Sequence, residues 1–370
     1  MGVLGRLILL GSGETSPSMV SYYQRSIPKD ARVGLLDSSY GFQANADDLT
    51  EKIVGYFRES VGFEISPIQL RSSESSSLEV ATARSSINSS EFVLAGPGSP
   101  TYALNVWSST NLAPDFLRLL ERGTLLLASA AALTAGAFTI PVYEIYKVGE
   151  KPSWREGLNI FASLTGVNAA IVPHFNNAEG GRHDTRCCYI GEARLSVLEK
   201  QLPAEAVILG IDEHTGIELD IAKQEIVVFG RGGLTVRNGA GENHFVSGSV
   251  LKVADLQSIP SERPSSIVEA PTSKIASDLL RAGDVEGAVA AAVEDLDIDR
   301  LHAFIVQLAH HMSMNSSDDA TAPLIDFLMQ LRNEARAEKR WQDSDRIRDL
   351  LDSIGIELQD SASGTVWVKK

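Results

Sequence analysis

Ser129 stands directly after the apolar run 124–128 (TLLLA) and directly before Ala130-Ala131-Ala132. A serine at a sharp strand-to-helix turn exposes its Oγ above the sheet, and the N–H of the next residue helps to receive an oxyanion. Such an elbow is crowded and needs small neighbours, which Ala128, Ala130, Ala131 and Ala132 supply. His174, in Pro173-His174-Phe175, ends a second apolar run, 169–172 (AAIV), where a general base would reach that serine. Glu144, in Pro141-Val142-Tyr143-Glu144, lies between the two in sequence and could orient the imidazole. Serine, histidine base and orienting carboxylate form an activated nucleophile for acyl transfer. Taken singly, each has a plainer reading: a serine in an alanine-rich helix, a histidine capping a strand and a solvated acid.

Other turns offer ligand chemistry. Gly96-Pro97-Gly98-Ser99-Pro100-Thr101-Tyr102 follows the run 92–95 (FVLA). Its two glycines let backbone N–H groups approach a ligand, and a helix starting at Pro100 would turn its positive end to the same place. Gly98 is a candidate oxyanion donor here, and Ser99 and Tyr102 are candidate substrate contacts. Gly11-Ser12-Gly13-Glu14-Thr15 follows the first apolar run, with Asp37 ending the next strand. That imitates a dinucleotide fingerprint, but Ser16 stands where the third glycine belongs. A tight turn with Pro17 opening a helix is the alternative, and Gly13 and Glu14 are kept as substrate-binding candidates. The polar loop 180–186 (GGRHDTR) closely follows His174, so Arg182 and Arg186 could clamp a carboxylate bidentately beside Asp184. A rival arrangement gathers His174, His183, Asp184, Glu213 and His214 around a divalent ion, although no pair has tight helical spacing. The main reading carries no metal and no cofactor.

The elements that must position these residues alternate. The runs 6–10 (RLILL), 32–36 (RVGLL), 92–95 and 124–128 are short and almost wholly apolar, as strands covered on both faces are. Between them 45–57, 78–88 and 112–121 carry helical spacing. This predicts an α/β fold, a three-layer doubly wound and mostly parallel sheet. Later runs, 206–211, 216–220, 225–229 and 234–237, are broken by turn residues and predict antiparallel hairpins at one sheet edge. A Pro/Ser-rich stretch, 258–273, is expected to be a linker. It divides an α/β domain (1–257) from a small all-α domain (274–370), where 274–354 has helical period.

The 370 residues carry 33 basic against 48 acidic side chains, a net charge of −15. Residues 1–257 hold 21 basic and 28 acidic of these, and 258–370 hold 12 and 20, so both domains share the excess. A chain this acidic is a poor general binder of nucleic acid or anionic membrane. The sequence has two cysteines, Cys187 and Cys188, too few for a disulfide framework or a four-cysteine zinc site. No charge interrupts 123–143, a window long enough to span a bilayer. Its serine, threonines, glycine and proline favour a buried strand, tight turn and small-residue helix instead. The first ten residues are too short an apolar run for a secretory signal. A cytoplasmic protein without membrane contact is expected.

Six segments together carry a family resemblance: LILLGSGETSPSMV, LLDSSYGFQANADDLT, LAGPGSPTYAL, LLLASAAALTAGAFTIPVYEIYKVG, IVPHFNNAEGGRHDTR and VILGIDEHTGIEL. Over residues 1 to about 250 the chain resembles peptidase family S51, the aspartyl dipeptidases and cyanophycinases, within the class I glutamine amidotransferase-like, flavodoxin-like fold. In that family the nucleophile turn reads Ser-Ala-Gly, which falls on Ser129-Ala130-Ala131. The resemblance implies a Ser129–His174–Glu144 triad, with the N–H groups of Gly98 and Ala130 as the oxyanion hole. The chain departs from the pattern at Ala131 and at Leu127, where glycine is frequent. A leucine there crowds the elbow unless it enters the core. The elbow has no cysteine, so glutamine hydrolysis through a thiolate is not expected.

The tail has a resemblance of its own. Residues 331–367 carry Arg332, Ala335-Arg336, Lys339, Trp341, Ser344-Asp345, Ile347-Arg348, Gly355-Ile356, Gly364-Thr365 and Trp367. This segment is similar to the C-terminal helical part of cysteinyl-tRNA synthetases. From 332 to 348 six basic residues face four acidic ones, so a tRNA contact is conceivable, against the alternative of a solvated helix face.

The leading expectation is a serine-type hydrolase cleaving an amide or peptide bond of a small acidic, Asp-containing substrate. One alternative is a non-catalytic regulatory protein of the same fold that binds a small acidic ligand or tRNA. Another is a metal-dependent hydrolase. A homodimer is a further expectation.

Overall fold

The computed structural model describes residues 5–238 and 241–257, then Met329, Arg332, Arg336, Arg348, 356–361 and 364–369. Strands β1 (Arg6–Leu10), β2 (Val33–Leu36), β3 (Ile65–Ile68), β4 (Phe92–Ala95) and β5 (Thr124–Ala128) alternate with helices α1 (Val20–Ser26), α2 (Ala46–Tyr56), α3 (Ser77–Ser89), α4 (Pro100–Ser109) and α5 (Ala113–Leu120). The five strands run parallel, in the order β1-β5-β4-β2-β3. Apart from Arg6 and Thr124 at their starts, β1, β2, β4 and β5 are apolar because both faces are covered, whereas β3 (ISPI) leaves Ser66 and Pro67 exposed. Leu7 and Leu9 enter one core beside Leu125, Leu127, Trp107 and Phe116. Ile8 and Leu10 enter a second beside Leu126, Ala128, Tyr23 and Phe57.

Two of the helices begin at a serine whose side chain satisfies a free backbone donor. Ser76 and Glu79 close a capping box on α3, and Ser99 caps α4 ahead of Pro100. Pro17 opens a single 3-10 turn, Pro17–Met19, that leads into α1.

After β5 come α6 (Ala130–Leu133), β6 (Phe138–Thr139), β7 (Arg155–Glu156), α7 (Ile160–Thr165), β8 (Ala169–Val172), α8 (Glu192–Glu199) and β9 (Val207–Ile211). Then follow β10 (Thr215–Asp220), β11 (Glu225–Gly230), β12 (Gly233–Asn238), β13 (Gly241–Val246) and β14 (Val250–Lys252). The window 123–143 is thus a strand, a tight helix and a short strand. Among the described residues no helix is long and apolar enough to cross a membrane.

The α/β fold and its antiparallel edge hairpins are present, β10 with β11 and β12 with β13, but the expectation of a single sheet needs correction. There are two sheets in this part of the chain, β14-β11-β10-β1-β5-β4-β2-β3 and β13-β12-β9-β8-β6-β7. β10 pairs antiparallel with β1 and occupies that edge, so β8 and β9 pair parallel to each other elsewhere. The run 206–211, expected in a hairpin, is therefore the parallel partner of β8. The two sheets still meet: Leu209, Ile211 and Ile171 of one share a core with Leu127 and Leu9 of the other.

The chain divides into two compact units, Met1–Val268 and Glu269–Lys370. The expected linker, 258–273, lies outside the described residues, as does nearly all of 274–354, expected to be helical. Beyond it the second unit contains an antiparallel pair, β15 (Ile356–Ser361) and β16 (Gly364–Lys369), so it is not all-α. The alternating Ile-Glu-Leu-Gln of β15 carries the period of two that a strand needs, and Val-Trp-Val in β16 is rich in β-branched and aromatic residues.

Leu127 is fully buried, and Ala131 shares its core. The leucine therefore leaves the elbow free, and alanine is tolerated two residues after the serine. Leu127→Ala should cost about 2–5 kcal/mol of stability through the cavity it leaves. Thermal unfolding of the full chain checks this, and an unchanged Tm would show that the strand does not depend on that packing.

Candidate active site

Ser129 has φ +52° and ψ −119°, a conformation that non-glycine residues rarely hold. It links β5 to the four-residue helix α6, and its amide donates to the Leu10 carbonyl at 3.0 Å. The elbow is thereby fastened to the end of β1. His174, just beyond β8, also has positive φ, +49°. Phe175 donates to the Ile211 carbonyl at 3.0 Å, and Cys188 returns to the His174 carbonyl at 3.2 Å. Cys187, Cys188 and Tyr189 all have positive φ and form a tight left-handed turn against the histidine backbone.

These placements bring Ser129 Oγ within 2.8 Å of His174 Nε2 and His174 Nδ1 within 3.0 Å of Glu213 Oε1. A carboxylate can only accept, so Nδ1 carries the imidazole proton and Nε2 is left to accept from the serine hydroxyl. Glu213 is itself held. Asn177 Nδ2 donates to the same oxygen at 2.8 Å, and the Glu213 amide donates to Asn176 Oδ1 at 2.8 Å. The hydrogen bond from His174, followed by that of Asn177, draws the Glu213 carboxyl below its usual range against a smaller desolvation cost.

Glu144 is not the partner of His174. It begins a single π-helical turn, Glu144–Val148, accepts from Thr101 Oγ1 at 3.0 Å and lies 3.7 Å from Arg155. Its carboxylate thus braces the start of α4. Glu213 appeared in the sequence only as part of the metal alternative. The signal that finds it is position: it follows β9, the strand parallel to and beside β8, so its side chain emerges next to His174. Among the described residues no group of three His, Cys, Asp or Glu side chains is arranged to hold a metal.

Gly98 has φ +146°, and a Cβ there would lie 2.0 Å from the Ser39 carbonyl oxygen. Only glycine fits that close approach. Ser99 donates its amide to the same carbonyl, and the Tyr143 hydroxyl donates to the Gly98 carbonyl. Ala130 is the first residue of α6, where an N–H has no intrahelical acceptor. Ser99 Oγ caps α4, and the Tyr102 hydroxyl donates to the Arg71 carbonyl, so both side chains have partners inside the fold.

Asp184 and Arg186 form a two-bond pair with each other, at 2.9 and 3.0 Å. Asp184 also accepts from the Glu192 amide and so caps α8. The guanidinium and this amide hold its carboxyl well below the carboxylate range. Arg186, expected as half of a substrate clamp, is therefore engaged by Asp184, whereas Arg182 is exposed. Both cysteines are buried, and burial pushes the Cys187 thiol up to about 12. Neither supplies a thiolate near neutral pH.

No family model matches the chain. A solved structure described as a peptidase from an acI-B1 Actinobacterium matches with a TM-score of 0.53 at 17% identity, covering 67% of this chain and 97% of that one. That likeness shows the fold. A putative peptidase E protein from Listeria monocytogenes EGD-e matches at a TM-score of 0.41 and 14% identity, covering 61% and 98%. Curated relatives match over short segments. A cysteine–tRNA ligase of Dehalococcoides mccartyi is 52% identical over 52 residues, 14% of this chain and 11% of its own length. One from Vibrio cholerae is 44% identical over 55 residues, 15% and 12%. The chain spans between about a tenth and a fifth of the curated relatives it matches.

Glu213 has a folded-state pKa below its ordinary value of 4.5. Its contribution to stability is therefore complete above that value and is lost as the pH falls through the folded one. Glu213→Gln should lower the Tm at pH 7, and the gap to wild type should narrow on acidification below about pH 4.5. A gap independent of pH would mean that the charge on Glu213 is not what matters.

Proposed function

We propose that this protein is a serine-type hydrolase that cleaves an amide or peptide bond of a small acidic substrate. The observation carrying this reading is the relay Ser129 Oγ–His174 Nε2 and His174 Nδ1–Glu213 on a strained elbow. The peptidase-like fold and the segments shared with the S51 pattern support it, with Glu213 taking the place first expected of Glu144.

Ser129 Oγ attacks the scissile carbonyl carbon while His174 Nε2 takes its proton. Glu213 keeps the imidazole in the productive tautomer and stabilises the imidazolium. The tetrahedral oxyanion accepts from the N–H groups of Gly98 and Ala130. Collapse expels the amine, which receives the proton from His174, and leaves an acyl-Ser129 ester. Water, deprotonated by His174, then attacks the ester and restores the serine. Arg182 is the basic side chain left for an acidic group of the substrate.

Ser129→Ala should abolish turnover of Asp- and isoaspartyl-containing dipeptides, and a fluorophosphonate should label wild type at Ser129. Glu213→Gln should lower kcat about 10³–10⁴-fold, the range expected when an orienting carboxylate is lost. Glu144→Gln should lose far less. An undiminished Ser129→Ala rate removes the nucleophile, and equal losses at Glu144 and Glu213 remove the assignment of the orienter.

A second activity is favoured by the short, high-identity matches to cysteine–tRNA ligases: the segment around 331–367 contacts tRNA. The full chain should then shift bulk tRNA in a native gel, more weakly at higher salt, and a chain lacking 258–370 should not. No shift by the full chain removes this reading.

A further inference from the structure

In the sheet β1 and β4 flank β5, so the turns that follow them flank the nucleophile elbow. The turn after β1 is fixed by packing. A Cβ at Gly13 would stand 2.5 Å from His214 Nδ1, and the Tyr23 hydroxyl donates to the Glu14 carbonyl at 2.8 Å. The turn after β4 carries Gly98, whose amide has no acceptor among the described residues. Gly98 has no side chain to pack and sits at a φ of +146°, so hydrogen bonds must hold it.

Those bonds converge on one peptide unit. Its N–H, from Ser99, donates to the Ser39 carbonyl at 2.8 Å, and its C=O, from Gly98, accepts from the Tyr143 hydroxyl at 3.1 Å. The two groups of a trans peptide point in opposite directions, so Ser39 and Tyr143 grip it from opposite sides. The residue after Tyr143, Glu144, accepts from Thr101 Oγ1 at 3.0 Å. One short turn thus holds both ends of 98–101, and it is seated in the core by Val142 and Ile145, both buried. Partial burial raises the Tyr143 pKa above its ordinary 10, so the hydroxyl is a donor at neutral pH.

We propose that Tyr143 is a positioning residue for the oxyanion hole: its hydroxyl fixes the Gly98–Ser99 peptide and so keeps the Gly98 N–H aimed at the oxyanion that forms when Ser129 attacks. The assignment rests on the hydrolase reading. The Gly98 N–H is joined to the Cα that this peptide anchors, so freeing the carbonyl lets the donor turn away. Ala130 needs no such hold, because α6 sets the direction of its N–H. A donor already aimed need not reorient as charge develops. A loosened one therefore weakens the transition state and leaves substrate binding alone. Glu144 has a task in this scheme as well, since through Thr101 it steadies the far end of the same loop.

Tyr143→Phe removes the hydroxyl and keeps the ring at an exposed position, and circular dichroism checks that the variant is folded. On the full chain it should slow fluorophosphonate labelling of Ser129 about tenfold, because the phosphoryl oxygen enters the same hole. That loss is smaller than the roughly 10²–10³-fold expected when a donor itself is removed. For aspartyl-p-nitroanilide, kcat should fall by a similar factor while KM stays within about twofold. An aspartyl aldehyde forms a hemiacetal: Ser129 Oγ bonds to the carbon, the C=O π pair moves to the oxygen and the serine proton passes to His174. It should bind the variant about tenfold more weakly, whereas the corresponding alcohol, which forms no adduct, should bind both proteins alike. A merely structural role would weaken both. Labelling at the wild-type rate, or equal losses for aldehyde and alcohol, overturns the assignment, while labelling at Ser129 leaves the hydrolase reading standing. A wild-type chain that is neither labelled nor active overturns the hydrolase reading and this inference with it.

Discussion

The structure depends on the convergence of three strand ends from two sheets. A 2.8 Å bond from Ser129 to His174 and a 3.0 Å bond from His174 to Glu213 are possible only if the ends of β5, β8 and β9 meet. Backbone bonds enforce this, from Ser129 to Leu10, from Gly11 to Thr215 and from Phe175 to Ile211. Two of the participants, Ser129 and His174, hold positive φ, at roughly 1–3 kcal/mol each. That strain persists because the strands beneath are packed on both faces. The apolar runs of the sequence thus serve the elbow as much as the core.

The same region separates its carboxylates by environment. Glu213 has an imidazole N–H and an amide N–H aimed at it, which favour the anion. Glu144 is spent on Thr101 and Arg155, and Asp184 on Arg186 and the start of α8. Glu14 has none of these partners and is raised by burial. The four acids therefore differ in environment, and the differences come from which donors face each one. The net charge of −15 says little about this, because local pairing decides it.

The second unit is a separate matter. It contains the antiparallel pair β15 and β16, while the matches to cysteine–tRNA ligases cover short segments of the chain and about a tenth of one such enzyme's length.

Much was legible in the sequence. Continuous apolar runs at β1, β4, β5 and β8 mark strands covered on both faces, and Ser129 among alanines marks a tight strand-to-helix turn, because local sterics set both. The strand β3 (ISPI), the two-residue strands β6 and β7 and the division into two sheets were not legible, since short segments owe their pairing to neighbours distant in the chain. The choice between Glu144 and Glu213 shows the limit most clearly. Both are glutamates near apolar segments, and nearness in sequence favours Glu144. Only the parallel pairing of β8 with β9 places Glu213 beside the imidazole and turns Glu144 toward Thr101. The sequence by itself determined which side chains are able to react. Tertiary structure decided which of them meet, because a hydrogen bond of about 3 Å depends on strand order and register, quantities that no local pattern contains.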